Sequence, residues 1–134
     1  MGVSGLGYVG INATDTRAWK DLAVSVFSME VVDKDQAESF YLRLDDWHHR
    51  LSVAASENDS IAYVGWEVPN EEGLDLLAKR LNDNGVSTVL GDAEQLDDRK
   101  VTKLYSFIDP ASGFPSEIFY GPKLEMRPFS PARG

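Results

Sequence analysis

Two stretches of this chain repeat one another 55 residues apart. Leu6-Gly7-Tyr8-Val9-Gly10-Ile11 is echoed by Ile61-Ala62-Tyr63-Val64-Gly65-Trp66. At the same offset Asp15 falls on Asn70, Trp19 on Leu74 and Leu22 on Leu77. A tripeptide can recur by chance. Matched helix caps, matched apolar helix positions and matched closing hairpins together are hard to obtain that way. A repeat of this period is one supersecondary unit used twice. Each half-module presents an apolar sheet face that must be covered. The expected fold is therefore α+β: two strand-helix-strand-strand-strand modules, paired about a pseudo-twofold axis, with mixed sheets curved around a concavity.

Local signals place the elements. Leu6 to Thr14 reads as a strand, and Asp15 caps a helix because its carboxylate accepts the orphan N–H groups of the first turn. Trp19, Leu22, Ala23 and Val26 make an apolar stripe on that helix, which is expected to end near Phe27. Ser28 to Asp35 reads as a short acidic strand or loop. Ser39 to Leu44 alternates as a strand, Asp45-Asp46 turns, and Trp47 to Ala55 returns as the second arm of the hairpin. After the polar break Glu57 to Ser60, Ile61 to Val68 is a strand. Pro69-Asn70 opens a helix with Leu74, Leu77, Ala78 and Leu81 on one face, and Asn84-Gly85 stops it. Val86 to Leu90 reads as a strand and Gly91 to Lys100 as an irregular polar stretch, in which Glu94, Asp97 and Asp98 are solvated. Val101 to Ile108 and Pro115 to Tyr120 are strands about a turn at Asp109 to Gly113. Residues 1–121 are thus expected to form one domain, with modules over 5–56 and 60–121. Residues 122–134, which contain Pro122, Pro128 and Pro131, read as a linker or tail.

Composition closes off other classes. Thirteen Lys+Arg stand against 22 Asp+Glu, a net charge of −9 with no basic cluster. That argues against nucleic acid and anionic membrane surfaces as partners. No apolar run approaches the roughly 20 residues of a membrane helix. With no Cys, disulfide frameworks, thiolate zinc sites and Cys nucleophiles are excluded. Met1-Gly2-Val3-Ser4-Gly5 has neither a basic stretch nor an apolar core, so no secretory signal is read there. A cytoplasmic setting is expected.

Several motifs weaken on inspection. Gly5-x-Gly7-x-x-Gly10 matches the dinucleotide-binding pattern, but it lies inside a strand where a true case opens a helix. Gly10 and Gly65 fit a close backbone approach or a bulge. His48 and His49 are the only histidines. On a strand, neighbours point to opposite faces, so they are not expected to chelate one ion together. One half-buried and one solvated imidazole is the expectation. A pairing of one of them with Asp45 or Asp46 lacks a third partner.

The repeat and its closing turn resemble the vicinal oxygen chelate superfamily, which holds glyoxalase I, bleomycin-resistance proteins and type I extradiol dioxygenases. Asp109-Pro110-Ala111-Ser112-Gly113-Phe114-Pro115-Ser116-Glu117-Ile118 resembles that superfamily's Asp-Pro-x-Gly-x-x-x-Glu turn, with one extra residue before the Gly. Leu6 to Gly10, Ile61 to Val68, Gly91-Asp92-Ala93, Glu117 to Pro122 and Arg127-Pro128-Phe129 are similar to the amino-terminal domain of extradiol dioxygenases of the 2,3-dihydroxybiphenyl type. The resemblance covers roughly Ser4 to Pro131.

The resemblance implies a metal site built from a His on the first strand of each paired module and a Glu on the last strand. Those positions read Tyr8, Tyr63 and Glu117 here. Non-haem Fe(II) is suited by two imidazoles and a carboxylate, and a neutral phenol with a pKa of about 10 is a poor substitute. No metal is expected at these degenerate ligand positions, and no catalytic residue is assigned. Tyr8, Tyr63 and Trp66 are the candidate ligand-facing residues. The resemblance further implies a carboxy-terminal domain of the same polypeptide that carries Fe(II) or Mn(II). This chain would then be the non-catalytic half of an enzyme cleaving catechol-type aromatics, inactive alone and paired in a homo-oligomer. The chief rival is a stand-alone module binding a small aromatic or hydrophobic ligand. A single-domain metalloenzyme like glyoxalase I is disfavoured by the missing histidines.

Overall fold

The computed structural model describes residues 2–34 and 38–124. Residues 125–134, with the Arg127-Pro128-Phe129 motif and most of the proposed linker, lie outside the described residues. The described chain divides into two compact units, residues 8–62 with Leu124, and residues 2–7 with 63–123.

The first unit is built from β1 (Gly5–Ala13) from Tyr8 onward, α1 (Thr16–Ser25), β2 (Glu30–Asp33), β3 (Phe40–Arg43) and β4 (Leu51–Ala55). Its strands lie in the order β2-β3-β4-β1. β4 returns parallel to β1, with Val9 opposite Leu51 and Ala13 opposite Ala55. The second unit uses β5 (Ser60–Glu67), α2 (Glu71–Asp83), β6 (Val89–Leu90), α3 (Ala93–Arg99), β7 (Val101–Ile108) and β8 (Pro115–Pro122). Its order is β5-β8-β7-β6, and β8 lies parallel to β5, Val64 opposite Ser116. Each unit therefore pairs its last strand with its first, and the second unit adds α3. The α+β class and the module order read from the repeat both hold.

The caps repeat as well. Asp15 accepts from the Ala18 backbone N–H at 3.0 Å, and Asn70 accepts from that of Gly73 at 2.8 Å. Gly85, at φ +86°, ends the α2 turn in the left-handed region.

One face of each half-sheet is apolar and lies under its helix. Ala13, Ala23, Phe40, Leu42 and Val53 form the first core, flanked by Ile11, Trp19, Met29, Val31 and Leu51. Val68, Leu74, Ala78 and Ile118 form the second, flanked by Leu77, Leu81, Tyr105, Phe107 and Tyr120. Strand alternation sends the intervening residues to the opposite face. In the first unit these are Tyr8, Tyr41, Arg43 and Ser52; in the second they include Tyr63, Glu117 and Phe119. Outside the second core, Lys103 ties β7 to α2 by contacts of 3.0 Å to Glu71 and 2.9 Å to Asp75. Its ammonium, with the Tyr105 hydroxyl, holds the Asp75 carboxyl below its ordinary value.

Four local expectations need correction. Leu22 and Val26 do not pack inward: they are 46% and 60% exposed. α1 stops at Ser25, so Val26 is already the C-cap, and the helix seats itself on Trp19 and Ala23 instead. Gly91 to Lys100 is not irregular. Asp92 accepts from the Gln95 N–H at 2.8 Å and starts α3, which Lys100 closes in the left-handed conformation. Residues 47–50 are loop, and the returning strand is only Leu51–Ala55. The strand expected over Val86 to Leu90 shrinks to Val89–Leu90.

The glycine motif has a packing explanation. A Cβ on Gly7 would sit 2.2 Å from Phe119 Cζ and 3.3 Å from the Gly65 carbonyl oxygen. Phe119 is fully buried, so its ring has nowhere to retreat. Gly7→Val is expected to cost about 1–3 kcal/mol as overpacking, seen as a lower urea midpoint at unchanged slope.

Candidate functional site

The second unit buries a carboxylate on the sheet face opposite α2. Glu117 is 3% exposed. α3 supplies its partners, because Gln95 and Arg99 are four residues apart and share one helix face. Arg99 Nε donates to Glu117 Oε1 at 3.0 Å and Arg99 Nη2 to Oε2 at 2.7 Å. Gln95 Nε2 donates to Oε2 at 3.3 Å. The guanidinium carbon lies 3.6 Å from the centre of the Tyr63 ring, and Nη1 donates to Asp98. This is a forked, charge-assisted pair roofed by an aromatic face, the geometry for which Arg is better suited than Lys. Asp98 is thereby engaged, not simply solvated.

The first unit places an aromatic cluster on its corresponding face. Tyr41 stacks on His49 at 4.2 Å between ring centres and meets His48 edge-on at 5.0 Å. The two Nδ1 atoms of the histidines approach to 3.1 Å. Tyr8, buried at 2% exposure, has its ring 6.3 Å from that of His49. Lys34 Nζ lies 4.4 Å from the Tyr41 ring centre and donates to Ser52 Oγ at 2.6 Å. The histidines sit in the loop before β4, so strand alternation does not separate them. His49 is the buried one, and His48 is half-buried instead of solvated. Asp45 does not join them: it accepts from Arg50 Nε at 2.8 Å and from the Trp47 N–H at 3.1 Å.

Residues 6–55 match the family model for dihydroxybiphenyl dioxygenase BphC D1. Biphenyl-2,3-diol 1,2-dioxygenase of Sphingomonas paucimobilis is 38% identical over 134 residues, covering 99% of this chain and 44% of the relative. 1,2-Dihydroxynaphthalene dioxygenase of Sphingobium xenophagum is 41% identical over 133 residues, covering 98% of this chain and 44% of the relative. A crystal structure of a catechol 2,3-dioxygenase superposes with a TM-score of 0.94 at 38% identity, covering the whole of this chain and 47% of that one. Along nearly its whole length the chain is similar to the amino-terminal domains of type I extradiol dioxygenases. It spans less than half the length of each of these relatives.

Within the extradiol pattern, the ligand positions can be tested for fit to a metal. Both oxygens of Glu117 accept from Arg99, and the face of Tyr63 is covered by the same guanidinium. A divalent ion at Glu117 would have to displace, or sit beside, a positive charge. Tyr8 and Tyr63 would offer phenols where Fe(II) is suited by imidazoles. These residues do not fit iron.

The ligand-facing candidates also separate. Trp66 pairs in register with Ile118, which packs in the core under α2. It therefore lies on the opposite sheet face from Tyr63, and it is 38% exposed. Sequence reasoning missed Arg99, Gln95, Tyr41 and Lys34 entirely. The available signal for the first two was Asp92-x-x-Gln95, a capping pattern that announces a helix.

Proposed function

We propose that this chain is the non-catalytic amino-terminal domain of an extradiol ring-cleavage dioxygenase acting on catechol-type aromatics of the biphenyl-2,3-diol class. What carries the reading is 38% identity across 99% of the chain to a relative of which the chain spans only 44%. The remaining length of such a polypeptide is the place for a carboxy-terminal domain holding Fe(II), or Mn(II). A relative in Rhodococcus jostii, 38% identical over 127 residues, is an iron-dependent extradiol dioxygenase. The part played by this chain is structural. It shields the metal-bearing domain and builds contacts in a homo-oligomer in the cytoplasm. No helix among the described residues is long and apolar enough to cross a membrane. Of the three ligand-facing candidates, the partly exposed Trp66 is best placed to meet another surface or an aromatic ligand.

The test is oxygen uptake with 2,3-dihydroxybiphenyl. The full polypeptide encoded with this chain, loaded anaerobically with Fe(II), is expected to consume one O₂ per catechol. The 134 residues alone are expected to consume none. Turnover by the 134-residue chain alone, or a full polypeptide without a second metal-bearing domain, would overturn the reading.

A further inference from the structure

The Glu117 cluster holds more than its disagreement with iron. A carboxylate 3% exposed needs a compensating cation, because an uncompensated buried charge is strongly destabilising. Here the cation is covalently part of the chain. We propose that Arg99 is the resident cation of a former metal position: its guanidinium, held between Glu117 and the Tyr63 ring, supplies the charge that a metal ion would otherwise bring to that carboxylate. The description of the position as a former metal site rests on the extradiol reading. The clamp itself rests on distances.

Three features support a cation position over an ordinary ion pair. The acceptors that converge on the guanidinium come from separate elements: Glu117 from β8, Asp98 from α3 and the Tyr63 ring face from β5. Gln95 adds a donor to Glu117, so the carboxylate is oriented even apart from Arg99. The arginine side chain is 14% exposed against 4% for Glu117, so the slot opens toward solvent on the arginine side. Emptying it by Arg99→Ala should leave a narrow acidic slot roofed by an aromatic ring, which suits a small planar guanidinium.

The experiment is thermal melting of the intact protein. Arg99→Ala is expected to lower the midpoint by roughly 5–15 °C. Millimolar methylguanidinium chloride should restore a large part of that loss. Tetramethylammonium chloride at equal ionic strength should not. Adding Glu117→Gln to Arg99→Ala should abolish the rescue. Should Arg99→Ala fail to fold, Arg99→Met keeps the apolar stem and allows a second comparison. Glu117→Gln is expected to lower the midpoint of the wild-type chain but to raise that of Arg99→Met. The proposal is overturned if Arg99→Ala melts like wild type, if rescue is absent or equally given by tetramethylammonium, or if Glu117→Gln lowers both backgrounds alike. None of these readouts involves ring cleavage, so they can fail while the dioxygenase reading stands, and the reverse.

Discussion

Leu74→Ala is expected to destabilise the chain by about 2–5 kcal/mol, while Leu22→Ala should change stability by no more than about 0.5 kcal/mol. Leu74 is fully buried, in a core with Val68, Ala78 and Ile118. Truncation removes most of its apolar area and leaves a void that a sheet-backed helix can only partly close. Leu22 is 46% exposed on α1 and leaves no void. Urea denaturation checks the contrast: the Leu74→Ala midpoint falls at unchanged slope, and the Leu22→Ala midpoint stays put. Equal effects would mean that α1 seats itself on Leu22 after all.

That contrast shows what the repeat could and could not convey. The 55-residue offset placed both strands, both helices and both caps, because capping and strand alternation depend on local chemistry. It also equated Leu22 with Leu77, and there it failed. Trp19 and Ala23 seat α1, and their counterparts at the same offset, Leu74 and Ala78, seat α2, so the repeat holds at those positions. Leu77 flanks the second core, but α1 ends at Ser25 and Leu22, in its last turn, stays exposed. α3 was hidden for a different reason. Its sequence, Ala93 to Arg99, carries one large apolar residue, Leu96, so there was no stripe to detect; its purpose is to present Gln95 and Arg99 to Glu117. The candidate site was legible only by type. Glu117 was found by its turn, yet its partner arginine comes from an element with no hydrophobic signature. The histidine pair escapes strand alternation because the hairpin arm begins only at Leu51, four residues after Trp47, and nothing in the apolar pattern of Trp47 to Ala55 marks that boundary.

Arg43→Ala is expected to cost about 3–5 kcal/mol, comparable to the largest core truncations. Arg43 is fully buried at the end of β3, on the polar face of the first half-sheet. Its Nε donates to the Asp45 carbonyl at 2.9 Å, holding the turn that leads into the histidine loop. Its Nη1 lies 3.7 Å from Glu30 Oε1 on the neighbouring strand β2. Alanine therefore removes a turn anchor and a long packed side chain, and it withdraws the cation beside a carboxylate that is 13% exposed. Arg43→Lys should recover little, because an ammonium cannot reproduce the fork that reaches a carbonyl and a carboxylate at once. Arg43→Met should recover more by refilling the volume with an apolar stem, and Glu30→Gln added to Arg43→Met should recover further by neutralising the carboxylate that faced the arginine. Chemical denaturation of this series orders the contributions. If Arg43→Lys proves as stable as wild type, the charge alone suffices and the fork does not matter; if Arg43→Met matches wild type, packing is the whole of the effect.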